Sequence, residues 1–240
     1  MLGTMTRRPA GDAFALIFDM DGVIADTVEY HYQSWQRLAD EEGIVFSRPD
    51  NDRLLGRSRR EALGVLLGAR TLSETEEQAW MRRKQDYFLE ALTRSDFGPD
   101  HALPGVRELL SEARLHGVPT GLASSSRNVT IVLEMLALQS AFDVVADASV
   151  VANLKPAPDV FVWVAGRLGF PPRQCVVFED APAGVQAALS GGFQVVGLGP
   201  VSRVGAAHRV LTDLGGSRLA DFAPPWPGPS GTETGGNLLS

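Results

Sequence analysis

Residues 14–18 form an unbroken apolar run that stops at Asp19. A run of that length without polar alternation predicts a strand buried on both faces, as in a parallel sheet. Comparable runs recur at 118–123, 142–146, 175–178 and 193–198. Between them the spacing turns helical: 104–117, opened by Pro104 and closed by Gly117, then 128–138, 157–168 and 183–190. Strands alternating with helices predict an α/β core, a doubly wound parallel sheet of Rossmann-like type.

One stretch departs from the alternation. Residues 27–42, 58–67 and 73–92 are all helical in pattern, and in the first of them Tyr30, Trp35, Leu38 and Ala39 share one side. With no strand between them, they predict a small all-helical cap domain at 27–95, inserted into a core of 13–26 and 96–222. Residues 1–12 carry Arg7 and Arg8 without an apolar run and are expected to be a flexible extension rather than a secretory signal. Residues 223–240, rich in Pro, Gly, Ser and Thr, are expected to form a disordered tail.

Composition narrows the function. A hydrophobic share of 44% and a charged share of 21% fit a globular protein of 240 residues with a sizeable core, and no segment reaches the apolar length of a membrane span. A cytoplasmic monomer is expected. The formal net charge of −7 argues against nucleic acid as a partner, because the phosphate backbone requires a basic face. It leaves room for a phosphorylated small molecule, which needs only local cations, N–H groups or a metal ion. The lone Cys175 lies in an apolar run and reads as a buried structural thiol.

Four polar clusters stand at four expected strand ends, where open α/β sheets place their ligand crevice. Asp19 and Asp21 follow the first strand in Phe18-Asp19-Met20-Asp21-Gly22-Val23. If the chain stays extended, both carboxylates face one side, and two such anions call for a cation or a shared proton. A solvated turn around Gly22 is the plain alternative. Ser124, followed by Ser125, Ser126 and Asn128, opens a helix and offers either an anion site or ordinary capping. Lys155 lies in Lys155-Pro156-Ala157-Pro158-Asp159, a stiff loop that suits a phosphate clamp or merely a surface charge. Glu179 and Asp180 precede a helix; they either favour its N-terminus or supply hard oxygen ligands for Mg²⁺.

In that order the clusters resemble the four motifs of the haloacid dehalogenase superfamily, over about residues 14–199. Residues 18–32, 122–128 and 155–161 are especially similar to the β-phosphoglucomutase family, whose small helical cap also follows the first motif. The resemblance implies that Asp19 is a nucleophile forming an aspartyl-phosphate and Asp21 the general acid and base. Ser124 and Lys155 would hold the transferring phosphoryl oxygens. Mg²⁺ would bind Asp19, Asp180, the main-chain carbonyl of Asp21 and, directly or through water, Glu179. A sugar phosphate would meet His31, Trp35, Gly56, Arg59 and Lys84 from the cap, and Ser125, Ser126 and Asn128 from the core. Arg59 corresponds to an arginine gripping the second, non-reacting phosphate. Leu55, Ala62 and Pro182 depart from the family pattern. The implied reaction interconverts β-glucose 1-phosphate and glucose 6-phosphate through glucose 1,6-bisphosphate; a sugar-phosphate phosphatase, or a mutase for another sugar phosphate, is the alternative.

Overall fold

The computed structural model describes residues 13–223, so the expected N-terminal extension and all but the first residue of the expected tail lie outside the described residues. Six parallel strands form one sheet: β1 (Ala15–Phe18), β2 (Thr120–Ala123), β3 (Val144–Ala146), β4 (Cys175–Glu179), β5 (Gln194–Leu198) and β6 (Arg209–Leu211). Their spatial order is β3-β2-β1-β4-β5-β6. The chain runs outward on one side of β1, then crosses back to build the other side. The switch point between β1 and β4 is where such sheets bind ligands.

Alternation along β1 sends Leu16 and Phe18 to one face and Ala15 and Ile17 to the other, and each face is covered by its own apolar cluster. The first face packs on α5 (Val106–Leu115) and α6 (Val129–Met135), the second on α7 (Asp159–Leu168) and α8 (Pro182–Ser190). Burial on both sides accounts for the continuous apolar runs. Phe18 and its register partner Phe178 stack with ring centroids 4.6 Å apart, at the C-terminal end of the sheet. Cys175 is buried as expected, and burial pushes its thiol up to about 12.

Between β1 and α5 the chain forms four α-helices and no strand: α1 (Val28–Glu41), α2 (Arg48–Asn51), α3 (Arg59–Leu67) and α4 (Glu74–Arg94). Ser58 and Ser73 begin α3 and α4 with capping boxes, each accepting from the N–H three residues on while Glu61 or Glu76 reaches back. These helices enclose a separate apolar cluster around Trp35, Leu38, Leu63 and Trp80. The C-terminal half of α4 dips into the core, where Phe88 and Leu92 join the cluster on the first sheet face. Gly56 brings the cap onto the core: its φ is +72°, and a Cβ there would stand 2.8 Å from Ala181 Cβ.

Two short α-helices and one strand were not expected. The short α2 and α9 (Val201–Val204) span four residues each, and β6 is a three-residue, partly exposed edge strand without an apolar run to announce it. Helix α6 is also shorter than its apolar pattern, because Ala137 turns to φ 53°, outside helical conformation. The turn after β1 is a further correction. The chain does not stay extended past Phe18; Ile24 and Ala25 both donate to the Met20 carbonyl, so a tight turn, not strand alternation, orients Asp19 and Asp21.

Candidate active site

A cavity of about 860 Å³ opens between the helical cap and the C-terminal ends of the strands, a volume suited to a small-molecule ligand. Asp19 and Asp21 line one part of it, with Ser124 and Asp180. The cap contributes His31, Trp35, Gly56, Arg59 and Lys84, and the start of α6 contributes Ser125, Ser126 and Asn128. Every expected site residue except Lys155 and Glu179 therefore lies on the cavity wall.

Those two stand just behind it. The Lys155 ammonium is fully buried and donates to Asp19 Oδ1 at 2.6 Å, Glu179 Oε1 at 2.7 Å and the Ala123 carbonyl at 2.9 Å. All three of its protons are used. Burial alone would pull it down, but the two carboxylates outweigh burial and lift it to about 12. In this geometry the lysine is a counter-ion beneath Asp19. The other Glu179 oxygen accepts from the Ala181 N–H at 3.0 Å.

Asp19, Glu179 and Asp180 bring carboxylate oxygens within 4.8 Å of one another, all buried. Against three acids stand one buried ammonium and, 3.7 Å from Asp180, the guanidinium of Arg203. Burial raises Asp19 to about 7 against the pull of Lys155, with Glu179 and Asp21 adding repulsion. Asp180 is raised well above its usual range by burial, Glu179 and Asp19. A tight set of hard oxygens short of positive charge fits a divalent cation such as Mg²⁺.

Asp21 has a different environment. Its Oδ1 accepts from the Thr27 hydroxyl at 2.5 Å and lies 3.3 Å from His31 Nε2. Lys84 Nζ sits 2.7 Å from the other ring nitrogen, Nδ1; when the lysine is charged, Nδ1 accepts and the imidazole proton belongs on Nε2, pointing at Asp21. Burial would push Asp21 up, but His31, Thr27 and Lys84 outweigh it and hold the carboxyl below its ordinary value. Burial and Lys84 keep His31 below its own ordinary value, consistent with a neutral ring. Burial and Arg59 lower Lys84 strongly. The two aspartates are thus pushed apart in acidity, the usual sign of divided roles.

On the core side the hydroxyls of Ser124 and Ser126 accept from the N–H groups of Ser126 and Asn128, at 3.0 and 3.1 Å. Their own protons stay free to donate. Ser125 Oγ and Asn128 Nδ2 are buried without a partner among the described residues. Across the cavity, burial and Arg127 lower Arg59, two cations facing a common space. Sequence reasoning missed Thr27, which reads as a helix start, and Arg203, which no motif marks. It also missed Gln85, hidden beside Lys84 in a charged stretch.

Parallel strands, an acid pair after β1, a serine after β2, a buried lysine and a second acid pair after β4 define a class of phosphoryl-transfer fold. The chain belongs to the haloacid dehalogenase-like hydrolase family, whose family model matches residues 15–192. Among curated proteins it is 41% identical to β-phosphoglucomutase of Bacillus subtilis, over 77% of this chain and 83% of that protein. It is 34% identical to a phosphorylated carbohydrates phosphatase of Thermotoga maritima, over 75% of this chain and 82% of that protein. Among solved structures, β-phosphoglucomutase from Clostridium difficile superposes with a TM-score of 0.82 at 33% identity, covering 87% of this chain and 95% of that one. Among the described residues no helix is long and apolar enough to cross a membrane.

Proposed function

We propose that this protein is a β-phosphoglucomutase, interconverting β-glucose 1-phosphate and glucose 6-phosphate through glucose 1,6-bisphosphate. The observation that carries the reading is the split between the aspartates. Asp19 lies with the acid cluster and Lys155, while Asp21 is held by Thr27 and by His31 of the cap. A nucleophile and a separate acid and base, the latter tied to the cap, are what a reversible transfer to a sugar hydroxyl needs.

In this reading Asp19 attacks the phosphorus of the bisphosphate, the P–O bond to the sugar breaks, and Asp21 gives the departing oxygen the proton that it takes from a sugar hydroxyl in the other half of the cycle. The product monophosphate leaves, and an incoming β-glucose 1-phosphate presents its free 6-hydroxyl. Asp21, ionised between Thr27 and His31, takes that proton while the aspartyl-phosphate transfers its phosphoryl group to the oxygen. Ser124 donates to the moving phosphoryl oxygens. Lys155 balances Asp19 from behind and would reach a phosphoryl oxygen by giving up one of its carboxylate bonds. Asp19, Asp180, Glu179 and the Asp21 carbonyl would hold Mg²⁺, which would neutralise charge between the carboxylate and the phosphoryl group. Arg59, with Ser126 and Asn128, would grip the non-reacting phosphate during each transfer and release it when the bisphosphate turns end for end.

The likeness to the Thermotoga phosphatase favours a second reading, hydrolysis of a sugar phosphate on the same core. A coupled assay separates the two: β-glucose 1-phosphate with Mg²⁺ and catalytic bisphosphate, following glucose 6-phosphate and inorganic phosphate together. Fast glucose 6-phosphate formation with little phosphate release is expected. Phosphate release without isomerisation would make the protein a phosphatase.

A further inference from the structure

Gln85, next to Lys84 on α4, bridges the cap to the core without itself lining the cavity. Its Oε1 accepts from Arg59 Nη2, and its Nε2 donates to Asn128 Oδ1 at 2.8 Å. The chemistry of these groups makes the chain of bonds directional. A guanidinium can only donate, so Arg59 must face the oxygen end of the Gln85 amide. The NH₂ end of Gln85 then faces Asn128, which must answer with its carbonyl and turn its own NH₂ away. That Asn128 Nδ2 is the buried, unpartnered donor noted above, on a residue that lines the cavity. One guanidinium therefore fixes the flip of two amides in series, leaving an unpartnered asparagine N–H on a residue that lines the same cavity as Arg59.

We propose that Gln85 is the positioning residue for the non-reacting phosphate: it holds Arg59 from the cap and Asn128 from the core in one relative geometry, with both donors presented. The assignment rests on the mutase reading, in which Arg59 and Asn128 grip that phosphate. Because Gln85 joins the two sides directly, the grip forms only when cap and core are together. The phosphate site then reports closure.

The test is steady-state mutase kinetics with β-glucose 1-phosphate at varied glucose 1,6-bisphosphate. Gln85→Met keeps the length of the side chain and removes the amide; Gln85→Ala serves as a second variant should the first not fold. The KM for bisphosphate should rise roughly tenfold while kcat changes by less than about threefold, the size expected for losing the orientation of a charged hydrogen-bonding pair. In an Arg59→Ala background the same substitution should add less than about twofold, since without Arg59 nothing sets the Gln85 flip. An unchanged KM in the Gln85 variants overturns the proposal, and so does the full tenfold effect persisting without Arg59. An Arg59→Ala protein with unaltered bisphosphate KM overturns the grip on the second phosphate itself, a result separable from the other two.

Discussion

Lys155→Met offers the sharpest test of the buried charge arrangement. The substitution keeps the length of the stem and removes an ammonium that is wholly buried and bonded to Asp19, Glu179 and the Ala123 carbonyl. Removing one partner of a buried ion pair costs about 3–5 kcal/mol, because the remaining charge keeps its desolvation penalty. Here two carboxylates lose their counter-charge at once, but Asp19 can escape by taking up a proton. Its folded pKa already sits at about 7, above the unfolded value, so its ionised form costs stability as the pH rises toward 7. Lys155 holds that pKa down; without the lysine it climbs further, and the cost continues to grow above pH 7, where the wild type has levelled off. The deficit of the variant should therefore be about 4 kcal/mol at pH 8 and shrink by about 1.4 kcal/mol, to about 2.6 kcal/mol, at pH 5.5, where Asp19 is largely protonated in both proteins. Urea unfolding of the metal-depleted proteins at the two pH values measures this. A deficit under about 1 kcal/mol at pH 8, or one equal at both, would refute the counter-ion account.

Asp21→Ala should lower transfer to the sugar hydroxyl by about 10²–10⁴-fold while leaving Mg²⁺ affinity within about threefold, because the Asp21 carboxylate lies outside the acid cluster; calorimetric titration of the metal beside the rate assay would expose an error in either half. Chelation should abolish turnover and added Mg²⁺ restore it, and at about 100 times its Kd the ion should add about 2.7 kcal/mol of stability, a gain that Asp180→Asn should largely remove. Gly184→Ala should destabilise by about 1–3 kcal/mol in the same unfolding assay, since a Cβ there would lie 1.7 Å from Glu179 Oε1, itself tied to Lys155 and Ala181. Gly64→Ala in α3, where nothing stands within 4 Å, should instead stabilise by about 0.5–1 kcal/mol; equal signs for the two would contradict the packing described.

What was legible in the sequence follows from what burial leaves in it. The strands at the centre of the sheet are covered on both faces, so they survive as unbroken apolar runs, and the acids and serine at their ends stand out by contrast. The edge strand β6 is partly exposed and too short to leave a pattern. Among site residues, Asp19, Asp21, Ser124 and Asp180 were marked by position at strand ends. The direction in which Lys155 points was not, since a stiff loop says only that the ammonium is fixed, not that it turns to the carboxylates behind the cavity. The bonds from Thr27 to Asp21 and from Gln85 to Asn128 cross between elements whose packing no local periodicity encodes.

The bond from Lys155 to Asp19 joins residues 136 positions apart, and β1, which carries Asp19, needs β4 as a neighbour on one side. At ordinary synthesis rates roughly 7–27 s separate the emergence of these two residues. For most of that interval the central strand has neither neighbour; only β2 (Thr120–Ala123) emerges before it ends, and Asp19 has no ammonium beneath it. A chain halted before the lysine would hold the acid and the helical cap yet lack the charge balance of the finished centre. The enzyme is therefore assembled late in its own synthesis, with its first motif the longest to wait.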